Sequence, residues 1–258
     1  MAAVTEARRR SPGRRLVLGI AGSQGSGKSM IAENLVARFP QAASLSLDDL
    51  YLTRDERDRL AGEVHPLLAT RGVPGTHDVA LGLHTLDAFR AGQPALLPRF
   101  DKGRDERMPQ EQWPMLPEGC DLLVFEGWCL GATPQDPVDL EEPVNERELG
   151  EDQGGVWRRY VNAQLAGPYQ ALFEPIDVLV FLAAPSFETV MAWRSEQEQG
   201  LRAARPDAPH LMDADQIRRF IALYERLTRH MLRTMPDQAD VVIALNENRQ
   251  CPEVTRRT

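Results

Sequence analysis

The stretch GSQGSGKS at residues 22–29 constrains this chain more than any other part of its sequence. It fits the pattern G-x-x-x-x-G-K-[ST] in full, with Gly22, Ser23, Gln24, Gly25, Ser26, Gly27, Lys28 and Ser29. The apolar run LVLGIA precedes it and the helical pattern SMIAENLVARF follows it, so the stretch has the strand-loop-helix context in which this pattern cradles phosphate. A Gly/Ser turn with a chance lysine is the alternative, and it would leave that context unexplained.

The chemistry of the stretch also suits a nucleotide. Backbone N–H groups beside the glycines can surround phosphate oxygens, and the following helix adds the positive end of its dipole. Lys28 can supply a charge to the phosphates, and the hydroxyl of Ser29 can ligate Mg²⁺. The sequence therefore predicts a nucleotide-binding P-loop with ATP and Mg²⁺ as cofactors.

Five short apolar runs follow one another at intervals that leave room for helices. They are LVLGIA (16–21), ASLSL (43–47), DLLVFEG (121–127), DVLVFLA (177–183) and DVVIAL (240–245). Runs that are continuously apolar are typical of strands covered on both faces. Helical patterns at 29–39, 78–92, 157–173, 186–202 and 213–232 alternate with them. This predicts an α/β fold, a three-layer sandwich with a mostly parallel sheet of the P-loop NTPase type, which binds ligands at the carboxyl ends of its strands.

The 258 residues are enough for one α/β domain with additions. We expect a disordered basic tail over residues 1–15 and a single P-loop kinase domain over 16–258. Two stretches rich in Pro, Gly or charge interrupt the pattern, at about 92–118 and 139–155. They are predicted to be insertions that carry substrate or lid loops.

The net charge of −8 argues against a general nucleic-acid surface. Three scattered cysteines are too few for a disulfide framework and fit a reducing compartment. The apolar runs are much shorter than the roughly 20 residues that cross a bilayer. We therefore expect a cytoplasmic protein that acts on a small molecule, without a nucleic-acid or membrane partner. The sequence leaves its oligomeric state open.

Two strand ends carry acids that would face the P-loop. Asp48 follows the second run, where a small-molecule kinase needs a carboxylate to accept the proton of the attacking hydroxyl. Asp49 is predicted to cap the next turn, and a capping role for Asp48 as well is the alternative. Glu126 ends the third run, where an acid can hold Mg²⁺ together with Ser29.

Several motifs together carry a family resemblance over residues 16–249. The segments GSQGSGKS, LDDLYLT, RGVPGTHD, PRFDKGRDER, LLVFEGW, PVN and APSFETVMAWRSEQE resemble the D-glycerate 3-kinase family of plant and fungal type. That family lies in the larger group with uridine kinase, pantothenate kinase and phosphoribulokinase. Two departures are Leu50, where the family usually has an aromatic residue, and a shorter loop around FDKGRDER than in plant sequences.

The resemblance implies transfer of the γ-phosphate of ATP to the 3-hydroxyl of D-glycerate, which gives 3-phospho-D-glycerate. It assigns the role of base to Asp48, phosphate contacts to Lys28, and metal contacts to Ser29 and Glu126. A kinase for another small alcohol, such as uridine, pantothenate or a sugar phosphate, is the nearest alternative. A nucleotide-dependent switch or regulatory ATPase is a different one, but the last strand leads into Asn246 without the N-K-x-D pattern of guanine-nucleotide switches.

An acceptor with a carboxylate requires a fixed cation, and arginine suits it best. The candidates for contact with the substrate are Arg99 and Lys102 in the first insertion, together with Tyr51, Arg71, His77 and Asp78. For the insertion, a solvated charged loop is the alternative. Asp78 fits equally well as the N-cap of the helix that follows it, and His77 as an ordinary loop histidine.

Arg194, within the matching Trp-Arg pair of the 186–202 helix, is our candidate for a catalytic lid cation that closes over the phosphates. The alternative is an arginine on the helix surface that pairs with Glu198 at i+4.

Overall fold

A computed structural model of the protein describes residues 2–204 and 213–257. The described residues form eight strands: β1 (Leu16–Gly22), β2 (Ala42–Ser46), β3 (Phe100–Asp101), β4 (Glu106–Arg107), β5 (Leu122–Gly127), β6 (Val178–Ala183), β7 (Val241–Ala244) and β8 (Glu253–Arg256). Six of them make one sheet in the order β2-β5-β1-β6-β7-β8, and β3 pairs with β4 in a separate hairpin. All neighbours in the large sheet are parallel except β7 and β8. All five predicted strands are present, and β8 is an antiparallel edge strand that the apolar pattern missed, since its residues are exposed.

The helices of the described residues are α1 (Ala2–Arg10), α2 (Lys28–Arg38), α3 (Arg54–Glu63), α4 (Val79–Ala91), α5 (Glu146–Glu151), α6 (Val156–Ala166), α7 (Pro168–Phe173), α8 (Phe187–Ala204) and α9 (Ala214–Thr234). The single helix predicted over 157–173 is two helices, because the chain turns at Gly167 and Pro168 starts α7, a position where its missing N–H costs nothing. Asp78 caps the start of α4 and Gly92, with φ +67°, ends it as predicted.

Alternate residues of the strands enter two different cores. Val17, Leu45 and Phe125 pack into one hydrophobic cluster, while their chain neighbours Leu18 and Val124 pack into another. Because successive side chains of a strand point to opposite faces, the sheet is covered on both sides. The three-layer α/β sandwich of the P-loop NTPase type is therefore confirmed.

The prediction of a disordered tail at residues 1–15 is wrong for residues 2–10, which form α1. Val4 is buried in the second cluster, beside Leu16 and Leu18 of β1. Arg8 donates a hydrogen bond to Asp121 Oδ1 at 2.6 Å and lies 5.1 Å from the ring centroid of Phe39. Arg8, one of the basic residues for which a disordered tail was predicted, thus attaches α1 to the sheet.

The two predicted insertions have different surroundings. Residues 92–118 carry the β3–β4 hairpin, which reaches the strand end at Asp48. Residues 139–155 carry α5, which packs on α9 through a buried ion pair of 2.6 Å between Glu148 and Arg226. A lid function for residues 139–155 stays a prediction. Within the described ranges, no helix has the length and apolar character needed to span a membrane.

Candidate active site

The P-loop joins the end of β1 to the start of α2 at the carboxyl edge of the sheet. Gly27 is the N-cap of α2 with φ +88°, and no side chain caps the first N–H groups of the helix. Gly25 also has a positive φ, +77°, and a Cβ atom there would lie 2.8 Å from Cβ of Trp193. Glycine is required at both positions by backbone conformation, and at Gly25 also by the close approach of α8.

Several polar groups of this loop have no partner among the residues that the structure describes. Ser23 Oγ and Gln24 Oε1 are buried and form no hydrogen bond. Lys28 forms no ion pair with any side chain that the structure describes. The hydroxyl of Ser23, the ammonium of Lys28 and the uncapped N–H groups at the start of the helix can all donate to an anion, so their concentration here fits a phosphate site. We call residues 22–29 the phosphate side of the site.

Glu126 lies next to this loop and offers one open oxygen. In the parallel pairing of β2 with β5, Ser46 lies opposite Glu126. Glu126 Oε1 accepts hydrogen bonds from Ser46 Oγ at 2.7 Å and Ser29 Oγ at 3.2 Å, whereas Oε2 is buried without a partner. No group of three or more His, Cys, Asp or Glu in the described part of the chain could hold a metal alone. The donor set nevertheless fits Mg²⁺, which takes oxygen ligands and uses few from the protein beside phosphates and water.

Asp48 sits in the 3₁₀ turn Leu47–Leu50 that follows β2. Its Oδ1 accepts a hydrogen bond from the Tyr51 hydroxyl at 2.8 Å, and its Oδ2 pairs with Lys102 Nζ at 2.5 Å. Burial alone would raise the pKa of Asp48, but the positive charges of Lys102 and Lys28 and these hydrogen bonds lower it to about 2. Asp48 is therefore a carboxylate at all physiological pH values. Ser46 caps the turn by accepting from the backbone N–H of Asp48.

Aromatic rings line the site around Asp48. Tyr51 stacks on His77 with ring centroids 4.6 Å apart, and Phe100 meets Tyr51 edge-on at 5.3 Å. The Tyr169 hydroxyl lies 2.5 Å from His77 Nδ1, and His77 Nε2 is buried without a partner. Burial lowers the pKa of His77 to about 3, so the imidazole is neutral. The sequence left its role open, and the structure places His77 in this wall.

Cations from distant parts of the chain reach the same place. Arg71 lies 6.0 Å from the ring centroid of Tyr51 and 5.6 Å from that of Phe100. Its guanidinium also donates to the carbonyl of Lys102 at 3.3 Å. We call the group of Asp48, Tyr51, Arg71, His77 and Lys102 the hairpin side of the site, because the β3–β4 hairpin covers it.

Three other residues singled out from the sequence help to hold the hairpin. Arg99 approaches Asp49 Oδ2 at 3.4 Å, and Asp49 Oδ1 accepts from the backbone N–H of Phe100 at 3.1 Å, so Asp49 anchors the hairpin instead of capping the next turn. Asp78 caps α4 through Leu81 N at 2.9 Å, and its other oxygen accepts from Arg107 at 3.1 Å. Both carboxylate oxygens of Asp78 are thus engaged within the protein.

Arg194 makes the contact expected for the alternative in the sequence analysis, an arginine that pairs with Glu198 on the same helix. It pairs with Glu198 at 2.9 Å, one turn along α8, and lies 5.8 Å from the ring centroid of Phe220. Its neighbour Trp193, within the motif that carries the resemblance, is the residue of α8 that contacts the P-loop at Gly25. A lid role for Arg194 stays a prediction.

Sequence reasoning did not single out Arg249. Its Nε donates to the carbonyl of Gly25 at 2.8 Å, and its guanidinium lies 5.1 Å from the ring centroid of Trp193. The backbone carbonyl of Glu247 accepts a hydrogen bond from Trp193 Nε1 at 2.7 Å and so links this segment to α8 a second time. The position of these residues directly after the last strand, at the carboxyl edge, is the feature that could have drawn attention to them.

The fold is that of the P-loop kinases, and relatives that are named kinases support an ATP-dependent enzyme that phosphorylates a small molecule. Two relatives in sequence show the family. The chain is 36% identical over 204 residues to "Uncharacterized kinase mug58" of Schizosaccharomyces pombe, a match that covers 74% of this chain and 73% of that protein. It is 29% identical over 223 residues to the chloroplastic D-glycerate 3-kinase of Arabidopsis thaliana, over 81% of this chain and 46% of that protein. The chain therefore belongs to the D-glycerate 3-kinase-type family of P-loop kinases.

A solved structure has the same fold along nearly the whole chain. The D-glycerate 3-kinase from Cryptococcus neoformans var. grubii superposes with a TM-score of 0.81 at 24% identity, over 98% of this chain and 96% of that one. No model of a known protein family matches the chain. The resemblance drawn from the motifs is confirmed at the level of the family and the fold.

Proposed function

We propose that this kinase transfers the γ-phosphate of ATP to the 3-hydroxyl of D-glycerate and forms 3-phospho-D-glycerate. The observation that supports this most is the position of Asp48. The carboxylate of Asp48 accepts a hydrogen bond from the hydroxyl of Tyr51. The guanidinium of Arg71 lies 6.0 Å from the centroid of the same ring. A small acceptor that bears both a hydroxyl and a carboxylate would find a partner for the first in Asp48 and for the second in Arg71. Relatives named D-glycerate 3-kinase agree with that chemistry.

Asp48 acts on the acceptor hydroxyl. A carboxylate with a pKa of about 2 is a weak base, so its main contribution is to accept the hydrogen bond of the hydroxyl and aim its oxygen. It takes the proton late, once the bond to phosphorus has formed. This timing suits phosphoryl transfer, whose loose transition state gains most from positioning and charge stabilisation.

Lys102 and Arg71 act on the acceptor carboxylate. Lys102 pairs with Asp48 in this structure, and an acceptor hydroxyl at Asp48 would free its ammonium group for the carboxylate of the same molecule. Arg71 offers a planar guanidinium that suits a carboxylate in geometry as well as charge. The neutral imidazole of His77 and the ring of Tyr51 give the pocket its wall without adding charge.

On the phosphate side, the backbone of residues 22–29 and Lys28 would hold the phosphates of ATP. Ser29 and the open oxygen of Glu126 would hold Mg²⁺, and Ser46 fixes Glu126 by donating to its other oxygen. When bound, Mg²⁺ supplies positive charge that offsets the charge of the transferring phosphoryl group. Lys28 adds to that stabilisation from the start of α2.

The test is ADP release by the purified protein from Mg²⁺-ATP in the presence of D-glycerate, L-glycerate, uridine, pantothenate or ribulose 5-phosphate. We expect strong stimulation by D-glycerate, with a product that NMR identifies as the 3-phosphate. In Asp48→Asn, turnover should fall about 10²–10⁴-fold, the usual contribution of a positioned base.

Each other outcome points elsewhere. Stimulation by uridine, pantothenate or ribulose 5-phosphate alone would replace glycerate as the acceptor, and the 2-phosphate as product would change the site of transfer. Binding of ATP without stimulation by any acceptor would favour a switch or regulatory ATPase. Full activity of Asp48→Asn would remove Asp48 from the reaction.

A further inference from the structure

Asp105, at the end of the β3–β4 turn, sits among three arginines. Its carboxylate lies 2.9 Å from Arg57 Nη2 and 3.5 Å from Arg54 Nη2, and it also pairs with Arg71. Its backbone φ is +56°, a conformation that residues other than glycine seldom adopt and that Asp and Asn tolerate best. Such a conformation persists where surrounding contacts hold it, and here those contacts are ion pairs.

Arg57 is the buried member of the cluster around Asp105. The Arg57 side chain is 1% exposed, and a buried charge requires a counterion. Asp105 supplies it, and Arg57 further donates to the Asp105 carbonyl at 3.2 Å. Arg54, Arg57 and Arg71 thus share the carboxylate of Asp105, and Arg71 is the member of this cluster that reaches the pocket. Burial would raise the pKa of Asp105, but Arg57 and Arg71 lower it, so the carboxylate stays charged.

The same contacts fix the direction of Arg71. One nitrogen of its guanidinium pairs with Asp105 and another donates to the Lys102 carbonyl, so the hairpin grips it at two points. Held there, the group faces the rings of Tyr51 and Phe100. A cation fixed before the ligand arrives loses little side-chain entropy when it binds.

We propose that Asp105 is a positioning residue that makes the kinase selective for acceptors with a carboxylate, because it holds Arg71 toward the pocket of Asp48 while Arg57 supplies the charge that balances it. This inference rests on the proposed function, in which Arg71 binds the acceptor carboxylate. Asp105 itself touches neither the acceptor nor the nucleotide.

The experiment compares kcat/KM for D-glycerate with that for glyceramide, its neutral amide, in the wild type and in Asp105→Asn. Asparagine tolerates the backbone conformation and keeps the shape of the side chain. We expect the preference for D-glycerate over glyceramide to fall about tenfold or more, as for loss of a charge-assisted hydrogen bond, while KM for ATP stays the same. In an Arg71→Ala background, Asp105→Asn should change the preference no further.

Asp101→Asn is the matched control. Asp101 lies in the same hairpin and accepts from the backbone N–H groups of Gly103 and Arg104, so it stabilises the turn without touching Arg71. This variant should keep the wild-type preference. If Asp105→Asn does not fold, Arg71→Lys takes its place: it keeps the charge but loses the second contact, and it should lower the preference in the same way.

The outcomes separate this inference from the proposed function. Equal losses for D-glycerate and glyceramide in Asp105→Asn, or a preference that rises, would overturn the role of Asp105 alone. An unchanged preference in Arg71→Lys would overturn this inference together with the role of Arg71 as the group that binds the acceptor carboxylate, and D-glycerate as the acceptor would still stand. A wild type that phosphorylates only neutral acceptors would overturn the proposed function and this inference together.

Discussion

The phosphate side and the hairpin side of this site hold their charges in opposite ways. On the phosphate side, the ammonium of Lys28 forms no salt bridge among the described residues, although its charge lowers the pKa of Asp48, and buried atoms of Ser23 and Gln24 lack partners. On the hairpin side, Lys102 is paired with Asp48 and Arg71 with Asp105. One half offers open polar groups to a ligand, whereas the other satisfies its own charges with residues of the same chain.

This difference indicates two ways of preparing a site. Open polar groups cost free energy in the folded protein and gain it back when a highly charged ligand binds, which suits triphosphate. Paired charges avoid that cost, but an acceptor must separate Asp48 from Lys102 and offer its hydroxyl to the first and its carboxylate to the second, while Asp105 keeps its hold on Arg71. The exchange adds a selection step, because only a ligand that replaces both partners of the Asp48–Lys102 pair recovers what is lost.

The largest expected effect is on the phosphate side. Lys28→Ala removes a positive charge that no contact within the described residues replaces, and kcat should fall about 10³-fold, the scale for loss of a preorganised charge at a transferring group. The fold should be unaffected, since Lys28 holds no ion pair, and thermal unfolding provides the control. A loss of less than tenfold would show that the unpaired lysine is not the group that stabilises the phosphates.

The next effect concerns the metal. Glu126→Gln should raise the Mg²⁺ concentration that gives half-maximal turnover about 10–100-fold, because Mg²⁺ binds more weakly. Ser46→Ala removes the hydrogen bond to the other oxygen of Glu126 and the cap of the turn at Asp48, and it should change the Mg²⁺ requirement less because both oxygens of Glu126 remain. Equal Mg²⁺ requirements in the wild type and Glu126→Gln would remove Glu126 from the metal site.

Lys102→Ala tests the paired charges of the hairpin side. Loss of the ammonium should raise the pKa of Asp48 from about 2 toward its ordinary value, which NMR titration of the carboxyl carbon can follow. Because folding lowers this pKa, the stability from ionised Asp48 is fully present above pH 4 and is lost as pH falls toward 2. The variant should therefore unfold in acid at a higher pH than the wild type. An unchanged pKa would mean that the ion pair does not form in solution.

The smallest effect on turnover is expected at Arg194. In this structure Arg194 pairs with the buried Glu198 and packs near Phe220, so Arg194→Ala should cost about 3 kcal/mol of unfolding free energy, as for one partner lost from a buried ion pair. Turnover should fall less than about tenfold, well below the loss for a catalytic cation. A fall in kcat above about 100-fold would instead establish the catalytic lid role inferred from the sequence.

Much of the fold could be predicted because its determinants are local. Continuous apolar runs located all five buried strands, and Asp78 and Gly92 set the ends of α4. Elements without such a pattern were missed: β8 is exposed throughout, and α1 is held by one buried valine and by long-range contacts. The break between α6 and α7 was missed because apolar residues keep their helical spacing across it.

The sequence by itself determined the phosphate side. The groups that would bind phosphate are mostly backbone N–H groups of eight consecutive residues, and glycine permits the backbone conformation that they need. Only the tertiary structure decided the hairpin side. Its ion pairs join residues 34 and 54 positions apart, Arg71 with Asp105 and Asp48 with Lys102. In the loop of residues 99–107, where four bases alternate with three acids, composition does not choose between partners. Distance and burial do, because the strength of a charge pair depends on both.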